Sequence, residues 1–452
     1  MLAGVLFVSL VVIVAVSGYV WLHSQAHLDR IRQGAEERGL VLSWSEAAIP
    51  MASADQLVAW RELEAMFESG ANGLRPEELN HEVGDDPAEI MAAALLQLGS
   101  HAGGETAAAF KLSDYTSLVQ TLSPVPQVDE AIDPLRQRAW QAIDPQVMDA
   151  FLDVLARIGN QPGALTSEMH EDTMMWWVSP ARQAGRVLAD RIRFAPDAAA
   201  AQAEAIRALD FSASMYPMSL LDDLVKTGIE YEVFLAITYR LDDLRGPSSA
   251  PLQARLHAVA KNLPQQFDAA IRREFTFAVT VVDRLERGLA QETIFGYDES
   301  LGRLVTRVGR EPLAEVTFGL MDALKGVTDL QSRHQIVKAE MDRNVQNLSG
   351  QSPWQRHHFR LVGLLMPAWD MAHSMHMRSV VTAEVLAAEL AGQSWPAPGS
   401  LLASLAVARI EHDGAVGIWF DEDGTGPAAT PPAGKPVPRK TMWIHGPVPS
   451  DD

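Results

Sequence analysis

The sequence predicts a mainly α-helical protein held to a membrane by one N-terminal helix, with a small β-containing tail. Three observations carry that expectation. Residues 1–22 form an uncharged apolar run, and apolar residues recur at three- and four-residue steps from about 53 to 393. After 394 the chain turns Gly/Pro-rich, with short alternating stretches. These changes divide it into an anchor (1–22), a juxtamembrane segment (23–52), a multi-helix body built as an irregular array or bundle (53–393) and a tail (394–452).

The anchor reads MLAGVLFVSLVVIVAVSGYVWL. At about 1.5 Å per residue a helix of this length just spans a hydrocarbon core of about 30 Å. Tyr19 and Trp21 fall where an interfacial aromatic belt belongs. The run lacks the basic start of a cleaved signal peptide and is long for its apolar segment, which favours an uncleaved span over a cut after Ala15 and Ser17. Arg30, Arg32 and Arg38 follow the span and no Lys or Arg precedes it, a balance that by itself keeps the body in the cytoplasm.

The body is punctuated as helices are. Asp-Pro at 86–87, 133–134 and 144–145 precedes periodic runs, with Asp able to cap and Pro suited to the first helical position. After Asp144 the residues Val147, Phe151, Val154, Leu155 and Ile158 share one face, and Gly159-Asn160 stops the run. Further helices are expected near 54–69, 88–98, 181–193, 198–209, 219–244, 252–262, 265–289, 312–325, 328–347 and 354–391, with Pro367 kinking or dividing the last. No internal repeat is evident, so no regular solenoid is expected. In the tail, 404–420 reads as a hairpin turning at Asp413-Gly414, and 440–445 as a third strand.

Composition narrows the function. The 452 residues carry 37 Lys plus Arg against 58 Asp plus Glu, a net charge of −21, which opposes binding to nucleic acid. With no cysteine there are no disulfides, no thiolate catalysis and no Cys-ligated zinc.

Candidate sites are few. WDMAHSMHMR at 369–378 sets Asp370 and His373 one helical turn apart, while His376 drifts off that face. Carboxylate, imidazole and the nearby thioethers of Met366 and Met377 are all possible ligands for a transition metal. His357 and His358 lie beyond Pro367. The plainer reading is a His-Asp hydrogen bond within a Met-filled helical core. His170-Glu171 in MHEDTMMWW lacks the second histidine of a helical zinc site, so that stretch reads as a polar helix entrance before an aromatic anchor, Trp176-Trp177. Glu78 and His81 make a lone Glu-x-x-His. The tetrapeptide LDDL at 221–224 and 241–244 lacks the further carboxylate that a magnesium-diphosphate site uses, and both copies read as solvated helix faces. Asp421 and Asp423, in an acidic turn beside Gly424, suit calcium's flexible oxygen shell without the full twelve-residue loop.

Three stretches of the sequence, RIRQGAEERGLVLSWSEA (30–47), LMPAWDMAHSMHMRSVVTAEVLAAELAGQSWPAPGSL (365–401) and GKPVPRKTMWIHGPVPSDD (434–452), are similar to a group of uncharacterised bacterial proteins. These have one N-terminal membrane anchor, a helical ectodomain and a pseudopilin-like C-terminal segment. The matching features are Gly392 to Pro396 as a turn, Ser400-Leu401, Gly434-Lys435-Pro436, Gly446-Pro447 and Asp451-Asp452. Pro-Pro-Ala stands before Gly434 where the group has Asp-Pro-Phe, and Ile444-His445 where it has Tyr-Ser. The resemblance implies a single-pass protein of the inner membrane with its body on the periplasmic side, against the arginine count, and it implies ordinary helix at 369–378. The expected function is a membrane-anchored scaffold or protein-binding module of the cell envelope. Its partners are the bilayer through residues 1–22 and another envelope protein. The alternative is a helical metal-dependent enzyme using the His/Met-rich segment 357–377.

Overall fold

The computed structural model describes residues 28–68, 111–122, 133–169, 175–287, 299–349, 369–397, 400–405, 407–412, 415–419 and 442–445. The helices are α1 (28–37), α2 (Ala54–Phe67), α3 (Leu112–Leu122), α4 (Asp133–Gln141), α5 (Pro145–Ile158), α6 (Val178–Arg193), α7 (Ala198–Ser214), α8 (Leu220–Tyr239), α9 (Ala250–Glu286), α10 (Glu299–Leu324), α11 (Leu330–Ser349) and α12 (Trp369–Leu390). The expected anchor, and the helix expected at 88–98, lie outside the described residues. Among the described residues no helix is long and apolar enough to cross a membrane.

Local chemistry sets several of these boundaries. Ser53 caps α2 in a reciprocal box with Gln56, Asp144 caps α5 ahead of Pro145, and Asp197 caps α7. Helix α5 stops at Gly159, whose φ of 69° only glycine adopts without steric cost. Several elements differ from expectation: α3 is not among the expected helices, and the helix expected over 219–244 ends at Tyr239 with a separate helical turn at Leu241–Leu244. Residues 252–262 and 265–289, expected as separate helices around Pro264, form the single 37-residue α9. Buried Ala260 and Phe267 seat the helix firmly on either side of the proline, and that packing outweighs the one backbone bond the proline removes. Helix α10 begins thirteen residues before the expected start at 312, so Pro312 lies inside it.

Two hydrophobic cores organise the body. The larger is built from α2 to α8, the first part of α9 and the second half of α12. It also holds Trp395, Leu402, Val416 and Ile418 of the tail. The smaller gathers Ile31 and Ala35 of α1, Phe267 to Val282 of α9, α10, and Trp369 and Ala372 of α12. Helices α9 and α12 therefore run through both and pack on each other. Strands β1 (Ala408–His412), β2 (Ala415–Trp419) and β3 (Met442–His445) form an antiparallel sheet in the order β1-β2-β3. Ala408 pairs with Trp419 and His412 with Ala415, and the second pairing is shifted between Val416 and Gly417. The hairpin and third strand are as expected; the turn residues 413–414 lie outside the described residues.

Helix α1 belongs to the body rather than to a loose linker. Gly34 lies so close to Phe318 of α10 that an added Cβ would sit 2.5 Å from the ring. Arg38, at the end of α1, forks onto Asp322 with Nε 2.9 Å from Oδ1 and Nη2 2.5 Å from Oδ2. Its guanidinium also lies over the Phe318 ring, 4.6 Å from the centroid.

Candidate functional site

Where the two cores meet, α8, α9, α11 and α12 bury a band of polar side chains. On α8 the residues Asp223, Lys226 and Glu230 recur at three- and four-residue steps and face inward, with Asp222 beside them. On α12 His373 and His376 do the same, and α9 contributes Glu274. The first LDDL copy is thus not a solvated face: Asp222 and Asp223 are 1% and 0% exposed. The second copy is as expected, with Asp242 and Asp243 at the surface, paired to Arg245 at 3.0 Å and Arg240 at 2.8 Å.

The centre of the band is a His-Asp pair. His376 Nε2 lies 2.6 Å from Asp223 Oδ2. His376 does leave the face of Asp370, as the spacing implies, and its partner comes from another helix 153 residues away. His373 points elsewhere. Its ring stands edge-on to Phe267 with centroids 4.7 Å apart, and stacks on His334 of α11 at 5.5 Å. Burial first, then the charges of His334, His376 and Arg333, push the His373 imidazolium down to about 3, so it is neutral near pH 7.

The acids around the pair are each held by neutral donors. Asp222 accepts from Trp177 Nε1 at 3.0 Å, Met218 N–H at 3.1 Å and the Ser219 hydroxyl at 3.2 Å. Burial outweighs these bonds and lifts its carboxyl to about 6. Glu274 accepts from the N–H of Leu220 at the start of α8, at 2.9 Å, and burial lifts it to about 7. Glu230 accepts from Ser212 at 2.7 Å, and its pKa is raised by burial against the pull of Lys226. A second buried acid, Asp190 on α6, lies apart from this band. Tyr115 donates to its Oδ2 at 2.5 Å, and Arg136 meets it with Nε 3.0 Å from Oδ2 and Nη2 2.8 Å from Oδ1.

This arrangement can hold protons and fix helix register, while Asp223 Oδ1, Glu230 Oε2 and His373 Nδ1 are buried with no hydrogen-bond partner among the described residues. Among the described residues no group of three or more His, Cys, Asp or Glu side chains is placed to hold a metal ion. Of the expected ligands, His373 and His376 turn to different partners, and nothing is described for the side chain of Asp370. His170, Glu171, Asp172, Glu78, His81, His357, His358, Asp421 and Asp423 lie outside the described residues. Trp177 is the aromatic anchor that was expected, buried and bonded to Asp222. Sequence reasoning missed Lys226, Glu230, Glu274 and Asp190. Their only signal is a charge standing at helical spacing from apolar neighbours, which surface helices share.

No protein-family model, curated protein or solved structure matches the chain.

Proposed function

We propose that this chain is a membrane-anchored helical scaffold of the bacterial cell envelope, whose body stands on the periplasmic side and binds another envelope protein. The observation that supports it is the docking of α1 into the second core. A span ending at residue 22 leaves residues 23–27 before α1, a reach of no more than about 20 Å. Ile31, Ala35, Gly34 and Arg38 seat α1 on the body, so the body would stand close to the bilayer rather than at the end of a long stalk. A short stand-off suits a scaffold.

The chain has no native cysteine, so single cysteines can be placed at exposed Val58, Leu221, Tyr239 or Met371 and crosslinked in intact cells. The expected result is an adduct of one discrete mass from one face of the body and none from the others. The protein is also expected to stay with membranes through alkaline carbonate and to be digested by protease added to spheroplasts. Release by carbonate, protection until lysis, or the absence of adducts from every position would overturn the proposal.

A further inference from the structure

A cleft of about 800 Å³ opens between the end of α1, the middle of α9 and the turn joining α10 to α11. That size lies within the range of small-molecule sites, roughly 300–1,000 Å³. Its charge runs against the rest of the molecule. Arg38, Lys261, Arg272, Lys325 and Arg333 line it with Glu37, Asp268 and Asp322, a local balance of +2 in a chain of −21.

The cations fall into two sets. The arginines are fixed in place. Arg272 Nη1 donates to the carbonyls of Arg38 at 2.8 Å and Gly39 at 3.3 Å, a hold on neutral oxygens that leaves its charge uncompensated there. Arg333, 5% exposed, donates from Nη1 to the Val327 carbonyl at 3.0 Å and pairs with Asp268 through Nη2. Its Nε has no hydrogen-bond partner among the described residues. The lysines, Lys261 and Lys325, stand exposed at the rim and make no ion pair among the described residues. Gly326, Val327 and Thr328, in the turn between Lys325 and Arg333, also line the cleft.

Pinned guanidiniums with free ammonium groups at the mouth form a site for a compact, multiply charged oxyanion. The fork geometry of arginine matches phosphoryl oxygens, and the lysines supply charge without demanding direction. From this geometry we infer that the cleft binds a phosphate-bearing ligand. The cleft lies at the far end of α1, about 15 Å beyond the residue where that helix starts. That distance favours a soluble phosphorylated molecule over the headgroup of a lipid in the anchoring bilayer.

The test uses the full chain in phosphatidylcholine nanodiscs titrated with inorganic pyrophosphate by calorimetry. Saturable binding is expected, weakened at least tenfold in the Lys261→Gln/Lys325→Gln double variant, whose melting temperature should match the parent because both side chains are exposed. Arg272→Lys is expected to weaken binding as well, since it keeps the charge and loses the fork. Absence of saturation at millimolar pyrophosphate, or equal binding by parent and double variant, would overturn the inference. Repeating the titration in phosphatidylglycerol nanodiscs separates the two sources. Unchanged affinity supports a soluble ligand, and lysine-dependent competition supports the phosphate site with a lipid headgroup in it.

Discussion

The two buried acids, Asp190 and Asp223, solve one problem in different ways. Both are fully buried, and an isolated carboxylate in such a place is very unfavourable. Asp190 faces two permanent cations, Arg136 at 2.8 Å and Arg193 at 3.6 Å, and accepts from Tyr115, whose phenol is pushed well above its usual range by burial and by the nearby negative charge. Asp223 faces an imidazole, a partner whose charge depends on pH, inside a band of acids that burial has pushed towards neutrality. The first is therefore a fixed structural tie. The second is a tie whose strength the solution can alter.

The largest effect expected from breaking this contrast is at the fixed tie. Arg136→Met removes the nearer of the two arginines at Asp190 and should cost about 3–5 kcal/mol in urea unfolding at pH 7. Adding Asp190→Leu should recover part of that loss, because the buried carboxylate is gone, though Arg193 then loses that partner. A double variant no more stable than the single one would show that Asp190 is not held by Arg136.

A smaller cost, about 2–4 kcal/mol, is expected for His376→Leu at pH 7, since Asp223 loses one contact where Asp190 loses a two-pronged one. Melts of parent and variant should be unmoved by EDTA, because the described partner of His376 is a carboxylate. A chelator-sensitive parent would place a metal in the band instead.

The smallest and most diagnostic effect is the pH slope set by Glu274. Its folded pKa, about 7, lies above its unfolded value, so its contribution is complete below about pH 4 and is lost as pH rises through 7. Asp222 acts in the same direction up to about 6, whereas His373, depressed to about 3, costs stability as pH falls below about 6.5. Glu274→Gln keeps an acceptor for Leu220 N–H but cannot ionise. Its stability should therefore fall less than the parent's between pH 5 and 7.5, by at most about 3 kcal/mol at about 1.4 kcal/mol for each unit of pKa displacement. Parallel slopes for the two proteins would mean that Glu274 does not titrate in the fold.

The same contrast marks what could be read from the sequence. Caps and periodic runs are local, so Asp144 disclosed α5 and Gly159 where it stops, while apolar periodicity alone disclosed α2 and α7. Pro264 misled because its local cost is outweighed by packing contributed from far along the chain. The two LDDL copies make the limit plain. One tetrapeptide is buried against α12 and the other is solvated, and nothing within four residues says which partner will arrive. The spacing set Asp370 one turn from His373 and left His376 off that face with no acid assigned to it; the acid His376 meets lies on α8, 153 residues away.

Helix α1 precedes the groove it fills by more than two hundred residues of chain. Its Arg38 closes on Asp322, 284 residues later, and the Val41 carbonyl accepts from Thr276, 235 residues later. Until α9 and α10 have been synthesised, Ile31 and Ala35 have no core to enter, and a high-contact-order closure of this kind is intrinsically slow. The apolar face of α1 is thus covered only by chain made more than two hundred residues later, and its docking is a late step in building the smaller core.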